Sequence, residues 1–167
     1  MLIKQELILS LGSNKNNPLE RLKEAVSLIG DYFETTVLCS RIYQTSSWGY
    51  ESSDYLNCAI MLRSTYFVFE IANVMQEIER KMGRVSKTRD LNYHDRIIDI
   101  DLISYGNTII NTQKLSLPHP RIEQRKFVLI PIRDIKPHWR HPISGVNLEQ
   151  LIENCNDTGK IIPIEDI

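Results

Sequence analysis

The spacing of apolar positions along the chain predicts alternating strands and helices. Asn17 and Pro18 are typical of a helix start, and apolar residues then recur at helical spacing up to Gly30, which predicts the helix end. Phe67 begins a second apolar stripe of helical period, and Gly83 predicts the end of that helix. Short runs rich in apolar and β-branched residues predict strands. The predicted strands cover residues 7–11, 35–45, 55–64 and 97–103, and the predicted helices cover residues 18–30, 67–82, 122–135 and 148–155.

The order of these elements predicts the fold class. Strand, helix, strand, strand, helix, strand is the split βαβ order of ferredoxin-like folds. We therefore expect an α+β protein with a ferredoxin-like βαββαβ core and C-terminal helical and strand additions. A chain of 167 residues can bury one sizeable core, and this chain shows no repeat, linker or low-complexity stretch. The expectation is a single domain over residues 1–167.

Composition excludes several classes of protein. The chain is 42% hydrophobic, which excludes disorder, and its net charge of −1 disfavours a nucleic-acid binder. Three widely spaced cysteines lack zinc-site spacing and are expected to be buried free thiols, as is typical of the reducing cytoplasm. The sequence predicts neither a signal peptide nor a membrane span. We expect a cytoplasmic monomer that binds small molecules rather than nucleic acid or membranes.

Two acidic residues interrupt the apolar strand predicted over residues 97–103. The period of two in a strand places the side chains of Asp99 and Asp101 on the same face, with Cα atoms about 6–7 Å apart. Ionised carboxylates in such a strand are costly unless a positive group lies between them, and Mg²⁺ ions bound to phosphate oxygens fit that requirement. The pattern is equally typical of an edge strand with one solvated face. Both interpretations stay open on the residues alone.

A basic segment precedes the two aspartates. Residues 80–98 contain six Lys and Arg against two Asp, which gives a net charge of about +4. A basic loop that leads into a carboxylate pair is what polyphosphate binding requires, because Arg and Lys neutralise the phosphoryl oxygens. A solvated basic loop is the simpler alternative.

Other residues are weaker candidates by themselves. Glu79 lies near the end of the second helix, where the pattern favours a surface carboxylate paired with a neighbouring basic residue. His119 lies between two prolines, which hold its ring in a stiff turn. Gly12-Ser13-Asn14 follows a strand but lacks the patterns of a P-loop or a Rossmann site. Arg125 and Phe127 alone predict one surface and one core position.

Seven short motifs, each weak alone, occur in one order along nearly the whole chain. They are Leu11-Gly12-Ser13-Asn14, Tyr43-Gln44-Thr45, Asp54-Tyr55-Leu56-Asn57, Glu79 with Gly83-Arg84, Arg96-Ile97-Ile98-Asp99-Ile100-Asp101, Pro118-His119-Pro120-Arg121, and Arg125-Lys126-Phe127-Val128-Leu129. Together they resemble the motifs of the hydroxymethyl-dihydropterin pyrophosphokinases of folate biosynthesis. The resemblance implies transfer of a pyrophosphoryl group from ATP to the hydroxymethyl group of a reduced pterin, with release of AMP.

The resemblance implies a nucleotide and metal site. Asp99 and Asp101 are similar to the family's aspartates that bind two Mg²⁺ ions on the ATP phosphates. With Arg84 and Arg96 they form the implied catalytic group. The residues implied to bind ATP are Gln76, Glu79, Arg84, Lys87, Arg96, Ile100, His119 and Arg125.

The resemblance also implies a pterin site. Asn57 is expected to hydrogen-bond the edge of the pterin, and Tyr55 and Phe127 to flank its ring. The residues implied to bind the pterin are Thr45, Ser46, Trp48, Tyr55, Asn57, Tyr93 and Phe127.

The basic segment departs from the family pattern at two positions. Tyr93-His94-Asp95 stands where many members carry Trp-Gly-Pro, and Tyr93 is expected to replace the tryptophan as a stacking lid. Ser86 stands where many members carry a second arginine, and Lys87 or Arg89 is the expected substitute.

Two other functions share part of the pattern. RNA-recognition modules have the same order of elements, but they need the aromatic RNP1 motif, which the strand over residues 55–62 lacks. A two-metal hydrolase would also use Asp99 and Asp101, but would require further His or carboxylate ligands near the pair. Neither alternative accounts for the other six motifs.

Overall fold

The computed structural model describes residues 3–49, 51–83 and 96–166. Within these residues, eight strands and four α-helices form. The strands are β1 (Gln5–Ser13), β2 (Leu38–Cys39), β3 (Arg41–Thr45), β4 (Tyr55–Ser64), β5 (Asp99–Tyr105), β6 (Ile110–Asn111), β7 (Ser116–Leu117) and β8 (Ile161–Asp166). The helices are α1 (Pro18–Phe33), α2 (Val68–Lys81), α3 (Lys126–Ile135) and α4 (Leu148–Asn154), and a short 3-10 helix (Ile122–Gln124) precedes α3.

Six strands form one antiparallel sheet. Its central order is β5-β1-β4-β3, which is the arrangement of a ferredoxin-like βαββαβ core and confirms the predicted fold class. β8 extends the sheet beyond β3, and β2 pairs with β4. β6 and β7 form a separate hairpin that the sequence did not predict.

Hydrophobic cores lie on both faces of the sheet. α1 and α2 cover one face, where Leu9 and its alternate neighbours on β1 are fully buried. α3 and α4 cover the other face through contacts with Ile8, Ala59 and Ile103. Since successive residues of a strand face opposite sides, β1 is apolar on both faces where helices cover both.

Several predicted boundaries are wrong. α1 continues past Gly30, because Phe33 packs into the core and the helix ends only where Glu34 adopts a left-handed conformation with φ 47°. Residues 35–45 form two strands instead of one. The break falls at Ser40, whose amide and hydroxyl bind the backbone carbonyl and amide of Ala59, each at 2.9 Å.

The beginning of α2 also differs from the prediction. Phe67 is 73% exposed and precedes the helix instead of starting its buried stripe. Its amide donates to Glu70 Oε2 at 3.1 Å, which satisfies a backbone donor at the helix start. The helix ends as predicted near Gly83, whose φ of +95° favours glycine.

The three cysteines are unbonded, which confirms the predicted free thiols. Cys58 and Cys155 are buried and Cys39 is partly buried. Burial raises the pKa of the Cys39 and Cys58 thiols. Along the part of the chain that the structure describes, no helix has the length and apolar character to cross a membrane.

Glu79 is buried, so the predicted surface carboxylate is wrong. The residue is 3% exposed, and its Oε1 accepts a hydrogen bond from the amide of Ile100 at 2.8 Å. Because β5 is an edge strand, Glu79 satisfies a backbone donor on the strand that carries both aspartates.

We expect Glu79→Ala to lower the free energy of unfolding by about 1–3 kcal/mol, because the buried amide of Ile100 loses this acceptor. Urea unfolding followed by circular dichroism measures the change. Glu77→Ala, on the exposed side of the same helix, is the matched control and should change stability by less than about 0.5 kcal/mol. Equal losses in the two variants would contradict the assignment.

Candidate active site

A cleft of about 250 Å³ lies on the sheet face that α3 and α4 cover only in part. On β1, β4 and β5 this face is apolar under the helices, at Ile8, Ala59 and Ile103, and becomes polar beyond them. The cleft is lined by Ser10, Gly12, Thr45, Ser46, Trp48, Tyr55, Asn57, Arg96, Asp99, Asp101, His119, Arg121, Arg125 and Phe127.

Strand register builds the floor of the cleft. Gly12 on β1 pairs with Asn57 on β4 and with Asp99 on β5, so the three residues form one row. In the next row toward α3, Ser10 pairs with Asp101. Asp99 and Asp101 therefore lie on one face of β5, as the sequence predicted.

Gly12 leaves the space that Asn57 occupies. A Cβ at Gly12 would lie 2.6 Å from Asn57 Oδ1, which is closer than real Cβ contacts allow. Asn57 is 4% exposed, and its Nδ2 donates to Thr45 Oγ1 at 2.7 Å. The Asn57 amide group is thus held by its hydrogen bond to Thr45 on β3, and it occupies the space that the absence of a side chain at Gly12 leaves on β1.

The two residues after Gly12 bind the segment that leads into β5. Asn14 Oδ1 accepts from the Arg96 amide at 2.8 Å, and the Asn14 amide donates to the Arg96 carbonyl at 3.1 Å. The Ser13 hydroxyl donates to the Ile97 carbonyl. This motif therefore positions the backbone at Arg96.

Each aspartate pairs with an arginine. Arg96 Nη1 lies 2.7 Å from Asp99 Oδ2, and Arg125 Nη1 lies 3.6 Å from Asp101 Oδ2. Burial lowers the pKa of the Arg96 guanidinium. The charges of Asp99 and Asp101 are the largest of the opposing contributions, which together raise it by more than burial lowers it, so the net shift of the pKa is upward. Arg96 therefore stays protonated beside the two carboxylates.

Arg125 lies against two aromatic rings. Its guanidinium carbon is 4.9 Å from the centre of the Trp48 ring and 5.7 Å from that of Phe127, and the two ring centres are 6.5 Å apart. The Arg125 side chain is 12% exposed, and its buried Nε has no hydrogen-bond partner among the described residues. An unpaired buried donor costs free energy, and this atom has almost no surface through which a ligand could pair with it.

His119 is a neutral hydrogen-bonding group in this cleft. Its Nδ1 accepts from the amide of Arg121 at 3.1 Å, which assigns the proton to Nε2. Burial, followed by the charges of Arg125 and Arg121, lowers the pKa of His119 to about 4. At neutral pH the ring can donate a hydrogen bond through Nε2 but carries no charge.

The structure brings most of the predicted site residues together. The predicted residues that line the cleft are Thr45, Ser46, Trp48, Tyr55, Asn57, Arg96, Asp99, Asp101, His119, Arg125 and Phe127. Gln76, Glu79 and Ile100 do not line it: Gln76 is exposed on α2, and Ile100 packs into the opposite core. Arg84, Lys87 and Tyr93 lie outside the described residues.

Ser10, Gly12 and Arg121 line the cleft although they were not predicted as site residues. The sequence contained an indication for the first two, because they alternate with the buried residues Leu9 and Leu11. A polar residue and a glycine on one face of a central strand indicate that this face is open there.

Titration of the histidine ring protons by NMR should give His119 a pKa of about 4 in the free protein. Arg125→Gln should raise it toward the ordinary value, since one repelling charge is removed. Arg133→Gln is the control, because Arg133 pairs with Glu149 on α4 and does not line the cleft. A pKa near 6.5 in the unmodified protein would contradict the neutral ring.

Several known proteins are similar to this chain in sequence. A sequence model of the family described as 7,8-dihydro-6-hydroxymethylpterin-pyrophosphokinase (HPPK) matches residues 8–137. A 2-amino-4-hydroxy-6-hydroxymethyldihydropteridine pyrophosphokinase of Porphyromonas gingivalis is 38% identical over 136 residues, which cover 80% of this chain and 92% of the relative. The enzyme of that name from Bacillus subtilis is 35% identical over 129 residues, covering 76% of this chain and 75% of the relative.

Solved structures show the same fold at low sequence identity. A crystal structure of Plasmodium falciparum HPPK-DHPS superposes with a TM-score of 0.72 and 15% identity over 92% of this chain. This chain spans 46% of that longer protein, less than half of its length. From the extent of the sequence match, the chain belongs to the 7,8-dihydro-6-hydroxymethylpterin-pyrophosphokinase family.

Proposed function

We propose that the cleft transfers the pyrophosphoryl group of ATP to the hydroxymethyl group of 6-hydroxymethyl-7,8-dihydropterin, giving the pterin diphosphate and AMP for folate synthesis. The names of the relatives support this reaction. One observation carries the proposal. Asn57, Gly12 and Asp99 lie side by side on neighbouring strands, so the Asn57 amide and the Asp99 and Asp101 carboxylates line the same cleft. A flat heterocycle and a polyphosphate can therefore meet there.

The slot near β3 and β4 fits a pterin ring. Asn57 is held by Thr45, so its Oδ1 and its second N–H remain directed by the fold toward a hydrogen-bonding edge. Trp48, Tyr55 and Phe127 supply aromatic surface for a flat ring. Ser46 completes the proposed pterin contacts.

The opposite part of the cleft fits phosphate. Arg96, Arg121 and Arg125 line the cleft, and their guanidinium groups can donate to phosphoryl oxygens. His119 can donate through Nε2 without adding charge. We assign ATP contacts to Arg96, His119 and Arg125.

Asp99 and Asp101 fit the ligand chemistry of Mg²⁺. This ion uses one or two carboxylates together with substrate phosphate oxygens and water. The described residues contain no group of three His, Cys, Asp or Glu around a possible metal position, so phosphate oxygens would complete the coordination of two ions. When bound, Mg²⁺ supplies charge neutralisation of the transferring phosphoryl oxygens.

The protein's own residues act by orientation. Phosphoryl transfer passes through a loose transition state, so alignment of the acceptor hydroxyl and neutralisation of charge are the main requirements. Asn57 and the aromatic residues orient the pterin, while Arg96 and Arg125 hold the phosphoryl oxygens. No covalent intermediate on the protein is required.

Several assignments rest on the family resemblance alone. Gln76, Glu79 and Ile100 are proposed for the nucleotide, Arg84 and Lys87 for the phosphates, and Tyr93 for the pterin. We also infer a cytoplasmic monomer with a single domain over residues 1–167 that binds neither nucleic acid nor membranes. The unbonded cysteines and the net charge of −1 support the compartment and the absence of nucleic-acid binding.

Removal of either carboxylate should abolish the reaction. We expect Asp99→Asn and Asp101→Asn to lower pterin-dependent AMP formation on the order of 10³-fold with the fold intact, because the charge that holds Mg²⁺ is lost. A coupled AMP assay with ATP, reduced pterin and Mg²⁺ measures the rate. Asp31→Asn, on the exposed surface of α1, should retain full activity.

Two results would contradict the proposed function. Retained turnover in both aspartate variants would exclude the metal assignment. Absence of AMP formation by the unmodified, folded protein would exclude the reaction itself, and phosphate release from ATP without pterin would favour a hydrolase.

A side chain at Gly12 should weaken pterin binding selectively. Gly12→Ala displaces Asn57, and a displacement near 1 Å reduces efficiency by on the order of 10- to 100-fold. We expect the pterin KM to rise while the ATP KM changes little. Gly30→Ala is the control, because a Cβ there meets only ordinary contacts and alanine favours a helix. Equal changes in both KM values would contradict selective displacement.

A further inference from the structure

A short C-terminal segment lies against the cleft, beyond the residues that the family model matches. That match ends at residue 137. Residues 157–161, here called the clasp, follow α4 and lead into β8. The clasp contacts both elements whose ends form the aromatic side of the cleft.

The clasp binds the end of β3. Lys160 donates its amide hydrogen to Ser46 Oγ at 3.1 Å, and the Ser46 amide donates to the Lys160 carbonyl at 3.2 Å. Ile161 then pairs with Thr45 in the sheet. The chain that carries Trp48 is therefore fixed on its β3 side by hydrogen bonds to the clasp.

The clasp also binds the start of α3. Asp157 Oδ2 accepts from the amide of Lys126 at 3.1 Å. A carboxylate at this place satisfies an otherwise free helix donor and has the sign that the helix N-terminus favours. Lys126 is the first residue of α3 and lies between Arg125 and Phe127, which both line the cleft.

Gly159 lies close to both Asp157, which binds the start of α3, and Ser46, which follows β3. The second oxygen of Asp157 accepts from the Gly159 amide at 2.9 Å. A Cβ at Gly159 would lie 3.0 Å from both Asp157 Oδ1 and Ser46 Oγ. The close approach of these three residues makes one compact connection between β3 and α3.

We propose that Asp157 is a positioning residue that sets the spacing of Trp48 and Phe127 for the pterin ring. It acts through the Lys126 amide on one side and through Gly159 and Ser46 on the other. The proposal rests on the proposed function for the identity of the ligand. The spacing itself is a property of the free protein.

Kinetics separate positioning from general stability. Asp157→Ala in the full chain should raise the pterin KM about five- to thirty-fold, the factor expected if the free energy of the lost helix-capping hydrogen bond is expressed in pterin binding, with kcat and the ATP KM within about twofold. Asp157→Asn should restore only part of the affinity, because its single side-chain oxygen can accept from the Lys126 amide or from the Gly159 amide but not from both. Glu153→Ala, an exposed acid on α4, should match the unmodified protein.

The fluorescence of Trp48 tests the position of its ring without requiring enzyme turnover. The chain has two tryptophans, and Trp139 is buried away from the cleft. In a Trp139→Phe background, Asp157→Ala should increase quenching of Trp48 fluorescence by acrylamide, whereas Glu153→Ala should not. This measurement remains decisive if pterin turnover fails, so the two proposals can fail separately.

Unchanged quenching in Asp157→Ala would overturn the positioning role. A lower kcat, similar rises in both KM values and a lower melting temperature would also overturn it, because that pattern indicates partial unfolding. A selective rise in pterin KM with increased Trp48 quenching supports the proposal.

Discussion

The site depends on one geometric constraint, the alternation of side chains along a strand. Three neighbouring strands direct every second residue to the face that α3 covers only in part. Under the helix these residues are Ile8, Ala59 and Ile103, which pack against it. On each of β1, β4 and β5, the residues two and four positions away from these, toward the cleft, lie on the same face and line the cleft. A shift of one residue in any strand would bury these polar groups under α1 and α2.

Charge balance makes the polar part of this face tolerable. Carboxylates that are withdrawn from water need positive partners, and Asp99 and Asp101 obtain them from Arg96 and Arg125. His119 adds a hydrogen-bond donor while staying neutral, because burial and then the nearby arginines disfavour its protonation. The cleft thus brings two aspartates and three arginines together, although the chain as a whole is almost uncharged.

Segments outside the central strands fix the positions of residues that line the cleft. Ser13 and Asn14 bind the backbone before β5, which places Arg96 beside Asp99. Glu79 supports the same strand from the other face. The clasp fixes the aromatic side in a comparable way, so elements distant in sequence determine the width of one cleft.

The sequence alone determined the order of elements, the common face of the two aspartates and, through short motifs, the family. These features are local, since they follow from strand and helix periods and from neighbouring residues. The tertiary structure decided the rest. In the folded chain Glu79 is buried, residues 35–45 form two strands with a break at Ser40, and the lack of a side chain at Gly12 leaves space for Asn57. Such features depend on contacts between distant segments, and a sequence pattern states only that a residue is polar or small, without stating what lies opposite it.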